Sequence, residues 1–133
     1  MTTNASDVTA GTNATATHYN NLRKDLLNGT SNPVTDTDGA TVTFNLDNGK
    51  VHQVTLAGNR TLAISNEKVG QTFIIKLIQD GTGSRTVTWF TTINWAGDVA
   101  PVLTTTASKW DVFGFLCTAT DTYDGFIIGQ NLG

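Results

Sequence analysis

Thr41-Val42-Thr43-Phe44-Asn45-Leu46 alternates polar and apolar side chains without a break. Successive residues of a strand point to opposite faces, so Val42, Phe44 and Leu46 share one face while Thr41, Thr43 and Asn45 share the other. That is the signature of a strand with one buried and one wet side. Asp47-Asn48-Gly49-Lys50 reads as a turn, Val54 and Leu56 resume the inward parity, Ala57-Gly58-Asn59 turns again, and Leu62 and Ile64 mark a third strand. Gln71 to Gln79 (QTFIIKLIQ) is apolar on both parities, which predicts a central strand.

Further along, Asp80-Gly81-Thr82-Gly83-Ser84 reads as a glycine-rich hairpin loop returning through Arg85 to Trp89. Short segments around Ile93-Asn94-Trp95 and Val102-Leu103 lead to Asp111–Cys117, and a turn at Thr120-Asp121 leads to a last strand through Tyr123 to Ile128. About seven or eight short strands with no helical interruption predict a mainly β fold, an antiparallel sandwich of jelly-roll type. The many Thr, Asn and Gly residues fit it, because Thr favours strands while Asn and Gly favour turns.

Upstream the pattern changes. Residues 1 to 14 hold one sizeable aliphatic side chain beyond Met1, Val8, and read as an arm. Tyr19, Leu22, Leu26 and Leu27 fall at helical spacing, with Thr15 or Thr17 as N-cap and Asn28-Gly29 as C-cap, so a helix of about three turns follows. Its stripe is narrow, and a helix this short is marginal alone, so Tyr19, Leu22 and Leu26 need a surface to dock on. Pro33 breaks the helix, and Thr35 to Gly39 reads as a polar linker. The expected division is 1–39, an arm, helix and linker for attachment, and 40–133, a β-sandwich.

Composition narrows the function. The 133 residues suit one domain with an appendage, and they are 38% hydrophobic but only 14% charged. A net charge of −3 with scattered basic residues offers nucleic acid no concentrated cationic surface. No export signal and no apolar run of ~20 residues is seen, so neither secretion nor membrane insertion is expected. Cys117, the lone cysteine, sits in an apolar run and reads as a buried, inert thiol. The sequons at Asn4, Asn13, Asn28 and Asn59 read as chance in an Asn- and Thr-rich chain.

Catalytic constellations are sparse. His18 and His52 have no partners at metal-ligand spacing, and His52, on the parity of Val54, reads as a hydrogen-bonded histidine at the sandwich rim. Asp36 and Asp38 lack the remaining ligands of a calcium loop. Asp111, Asp121 and Asp124 could pair carboxylates for glycoside hydrolysis, but a chain this short has little room for the groove such enzymes need. No P-loop, dinucleotide fingerprint or nucleophile elbow is present. The strand after Asp80–Ser84, where a phosphate cradle needs a helix, makes that loop structural. The expectation is no enzyme and no cofactor.

Surplus apolar surface points to assembly instead. Ile74 and Ile78 lie opposite Phe73, Ile75 and Leu77, while Phe126 and Ile128 lie opposite Tyr123 and Ile127. A sandwich strand needs one apolar face, so Ile74, Ile78, Phe126 and Ile128, with Tyr19, Leu22 and Leu26, are the candidate interface. Trp89, Trp95 and Trp110 are candidate glycan contacts, since indole rings stack on sugars, although core packing is the commoner use.

Leu56–Leu62, Val69-Gly70-Gln71, Gln79–Trp89 and Trp95–Thr104, taken in this order, resemble a β-domain that recurs in phage tail fibres, tail-associated proteins and head-decoration proteins. The likeness covers roughly residues 40 to 131. Upstream, Ala14–Asp25 is similar to a helix that often precedes fibre and collar modules. Phe90 and Asp98 depart from the pattern, standing where a proline and a glycine are common. The resemblance implies a virion structural protein on the capsid surface or tail, assembled in the host cytoplasm and often a homotrimer, with no cofactor and no catalytic residues. Its partners would be its own copies and other virion proteins. Capsid decoration and a small tail fibre are close rivals, and the short length with no stalk repeat tilts the reading toward decoration. The alternative is a module binding carbohydrate or a host receptor through exposed aromatics.

Overall fold

The computed structural model describes residues 15–27, without the side chains of 24–27, and residues 32–133. The expected arm over 1–14, the Asn28-Gly29 cap and the Leu26 side chain lie outside the described residues. Helix α1 spans Ala16–Leu27. Thr15 caps it: its hydroxyl accepts from the His18 N–H at 3.2 Å, while the Thr15 N–H donates to His18 Nδ1 at 3.1 Å. His18 thus closes a reciprocal capping pair, a role that Glu or Gln usually fills.

The fold is mainly β. Its strands are β1 (Val34–Thr35), β2 (Thr41–Asn45), β3 (Val51–Leu56), β4 (Arg60–Ser65), β5 (Thr72–Gln79), β6 (Val87–Thr88), β7 (Ile93–Asn94), β8 (Trp110–Ala119) and β9 (Thr122–Leu132). They form two sheets, a larger one in the order β1-β3-β5-β8-β9-β7 and a smaller one in the order β2-β4-β6. The alternation in β2 is borne out, with Val42 and Phe44 buried and Thr41 and Thr43 exposed. Strand β5 lies inside the larger sheet, between β3 and β8, as its two-sided apolar pattern predicts.

The pairing departs from the expected antiparallel jelly roll. β1, β3 and β5 run parallel to one another, as do β2, β4 and β6, and β7 runs parallel to β9; only β5–β8 and β8–β9 are antiparallel. Through β6 the chain crosses from one sheet to the other after every strand, winding a flattened coil. The loops at Asp47–Lys50, Ala57–Asn59 and Asp80–Ser84 are therefore crossovers, and the Thr120-Asp121 turn is the true hairpin of the set. The reason is geometric. A parallel pair needs a long crossover connection, and here a strand of the facing sheet supplies it.

The segment expected as linker also joins the sheet. Val34 and Thr35 pair with His52 and Gln53. Asp36 then meets the buried His52, whose Nδ1 lies 2.8 Å from Oδ2 and whose Nε2 lies 3.0 Å from the Gly49 carbonyl. Asp38 accepts two hydrogen bonds from the Arg60 guanidinium, at 2.8 and 2.7 Å.

One core lies between the sheets, with Val42, Phe44 and Leu62 facing Val54, Leu56, Phe73, Ile75 and Leu77. Toward β8 and β9 it becomes aromatic. Phe73 stacks on Phe115 at 5.2 Å and meets Tyr123 edge-on at 5.7 Å, while Trp89 stands edge-on to Phe113 at 4.9 Å. Such pairs add ~0.5–1.5 kcal/mol each beyond the area they bury.

Candidate assembly surface

The pairing register sorts the outward residues of the larger sheet into cross-strand rows. Val51, Ile74, Gly114 and Phe126 form one, and Thr55, Ile78, Trp110 and Leu132 another. Gln53, Lys76, Val112 and Gly129 lie between them. The Phe126 ring lies over Gly114, where any Cβ would collide with it, so glycine here makes room for an aromatic from the next strand. Lys76 sits 4.2 Å from the centre of the Trp110 ring and so covers part of it.

The structure thus brings Ile74, Ile78 and Phe126 onto one face, as the parity argument expects. Ile128 is placed differently. The β8–β9 register shifts between Ile127 and Gly129, which leaves Ile128 as the extra residue of a bulge. Phe126, Ile127 and Ile128 are 50, 51 and 52% exposed in succession, on both faces of one strand. Ile127 shares the inward parity of Phe113, its partner, yet it stays half open to solvent. In the helix, Tyr19 and Leu22 are 69 and 49% exposed, so the described part of its stripe is uncovered.

The three tryptophans do not form one surface. Trp89 and Trp95 pack against the inner core, 5.2 Å apart, whereas Trp110 lies on the outer face of the sheet. Trp89 also lines a shallow groove of about 420 Å³ with Thr61, Ile64, Thr91, Asp121 and Tyr123. Burial pushes the Tyr123 phenol up, and Glu67, Cys117 and Asp121 add to this.

The aspartates weighed for catalysis serve the fold or stand apart. Asp111 is buried and accepts from the backbone N–H groups of Thr104 at 2.7 Å and Asn131 at 2.9 Å, tying the loop before β8 to the end of β9. Asp121 sits in the β8–β9 turn and Asp124 on β9. Cys117 is buried, and burial pushes its thiol up, with Glu67 adding to the effect. Among the described residues no cluster of three or more His, Cys, Asp or Glu side chains could hold a metal.

One feature of the site escaped sequence reasoning, the exposed pair Val99 and Val102 in the loop before β8. Gln130 on β9 donates to the Val102 carbonyl at 2.8 Å and so draws this loop to the strand. Val99 sits in no periodic stretch, and Val102, expected with Leu103 as a short segment of the β pattern, lies where the structure has no strand.

Residues 34–118 match the family described as "Putative phage tail fibre C-terminal domain". No curated protein and no solved structure matches the chain. With well over half its length inside that match, in agreement with the ordered motifs and the β-rich fold, the chain belongs to the phage tail-fibre C-terminal domain family and is a structural component of a phage virion.

Proposed function

We propose that this chain is a small tail-fibre protein, non-catalytic, that joins the particle through residues 1–39 and assembles with its own copies, as a homotrimer, through residues 40–133. The observation that carries this reading is the run of half-exposed apolar residues on β9, contiguous with the outer face that bears Ile74 and Ile78. Soluble monomers seldom expose large contiguous apolar patches. Exposed Tyr19 and Leu22 on the helix favour that element as the contact with a neighbouring tail protein. The match to a tail-fibre domain family favours the tail over capsid decoration. Gold-labelled antibody against the chain, viewed on intact particles, should mark the tail. Label on the capsid shell would overturn the assignment.

A second reading rests on the groove beside Trp89. An indole wall, the Asp121 carboxylate and the Thr61 and Thr91 hydroxyls are the group types that hold a sugar, so host-surface glycan is the ligand class it suits. Asp121→Asn should abolish glycan-array binding while leaving the fold intact. Equal binding by the variant would remove this reading.

A further inference from the structure

The groove beside Trp89 lies where the smaller sheet runs out. Strand β6 pairs with Arg60 and Thr61 of β4 and no further. The Arg60 N–H donates to the Thr86 carbonyl on the β6 side, and the Thr61 N–H to the Ala40 carbonyl on the β2 side. Backbone groups alternate sides along a strand, so the N–H and C=O of Ile64, which lines the groove, point past the end of β6. Two features of this groove are left over by the fold. Tyr123 lines it, is only 1% exposed and packs edge-on against Phe73 and Phe90, yet its hydroxyl has no hydrogen-bond partner among the described residues. Buried polar groups are ordinarily paired, because an unpaired one gives up its hydration for nothing. Burial first, then the negative charges of Glu67 and Asp121, keep this phenol protonated and able to donate. The second feature is charge. Asp121 is exposed and lines the groove, and among the described residues no Lys, Arg or His lines it.

Resting on the reading of this groove as a glycan site, we propose that it takes an amino sugar, whose ammonium group pairs with Asp121 while a ring oxygen or hydroxyl accepts from Tyr123. An anionic sugar would set its charge against Asp121 and Glu67, and a neutral one would leave the Asp121 charge unanswered, whereas an ammonium group answers it with a charge-assisted hydrogen bond. The half-buried Trp89 adds an aromatic face on which a sugar ring stacks and toward which a cation is drawn. The open Ile64 N–H and C=O offer the remaining hydroxyls a donor and an acceptor. A volume of about 420 Å³ falls within the ~300–1,000 Å³ of small-ligand sites, room for a short stretch of glycan.

The test is calorimetric titration of the full chain with a glucosamine oligomer and with the N-acetylglucosamine oligomer of equal length, at about pH 5.5, where such amines are protonated. The two ligands differ in the ammonium group alone. The free amine should bind tighter on the order of 10-fold or more. Asp121→Asn should remove that preference, while Asp98→Asn, which deletes an exposed carboxylate outside the groove, should keep it. Both aspartates have positive φ, 51° and 57°, which asparagine adopts readily, so both variants should fold. Tyr123→Phe should weaken binding by about 10-fold without lowering Tm, since its hydroxyl holds nothing in the fold. Equal binding of the two oligomers, or a preference that survives Asp121→Asn, overturns the amino-sugar proposal and leaves the glycan reading standing. A preference lost equally in Asp98→Asn, or trilysine binding as tightly as the glucosamine oligomer, reduces the effect to general attraction of cations and also overturns it. No binding of either oligomer at millimolar concentration overturns it too, and an array with no bound glycan of any charge removes the glycan reading itself.

Discussion

Gly83 and Gly81 occupy one loop yet should respond oppositely to alanine. Gly83 is buried and has φ +73°; an added Cβ would sit 2.5 Å from the Thr105 carbonyl oxygen and 2.8 Å from the Ala107 nitrogen, both backbone atoms. The left-handed conformation alone costs alanine ~1–2 kcal/mol. Relieving the collision moves Thr105 away from the Ser84 N–H, which donates to its carbonyl at 2.8 Å, and loosening that bond adds ~1 kcal/mol. Gly83→Ala should therefore destabilise by about 3 kcal/mol, a fall in Tm of about 10 °C for a domain of this size. Gly81 has an ordinary φ and nothing within 4 Å of an added Cβ, so Gly81→Ala should stay within about 0.5 kcal/mol of the parent. Thermal melts of the three proteins at one matched concentration, which removes mass-action shifts, provide the comparison. If Gly83→Ala melts within about 2 °C of the parent, or both variants fall equally, the reasoning about this loop is wrong.

Three further outcomes are expected. Buried Gln79 donates to the carbonyls of Arg85 and Thr104 at 2.9 and 2.8 Å and accepts from the Arg85 N–H at 2.9 Å; Gln79→Leu strands all three groups and should cost ~2–4 kcal/mol by urea titration. His52→Leu should cost a similar ~2–4 kcal/mol in the same assay, because it leaves Asp36 and the Gly49 carbonyl without their shared partner. Hydrogen bonds from Arg85 hold the Asp80 carboxyl down at about 2, and those from Arg60 lower Asp38 from its ordinary 3.8. Both folded values lie below the unfolded ones, so the stabilisation is complete above about pH 4 and is lost as pH falls through the folded values. Melting temperature should drop between about pH 4 and pH 2, and an Arg60→Gln, Arg85→Gln double variant should show a shallower drop.

Burial was legible in the sequence to a degree that strand direction was not. Val42 and Phe44, Phe73, Ile75 and Leu77 announce their buried face through period two, because alternation records which side of a strand meets the core. The same signal arises in either orientation of the neighbouring strand, so nothing in Asp47–Lys50 or Asp80–Ser84 tells a hairpin from a crossing to the opposite sheet. The outward placement of Ile74, Ile78 and Phe126 followed from parity, whereas the bulge at Ile128 depends on how β9 registers against β8. The tryptophans were ambiguous for a related reason. Trp89 and Trp110 each sit in or beside a strand, and only the fold places one inside and the other out. Asp36 and Asp38 looked like linker because their partners, His52 and Arg60, stand 16 and 22 positions away.

Winding has a bearing on how such domains vary. Each early strand is laid on the one two before it, as Thr41 on Thr61 and Val51 on Ile74, so extra chain is accommodated most easily as whole circuits of roughly 20 residues that add a rung to each sheet. The β8–β9 hairpin runs against β5 and closes the larger sheet to further rungs at that margin. Relatives of different height should accordingly differ by complete circuits inserted ahead of Trp110, with the terminal hairpin kept as a lid on the stack.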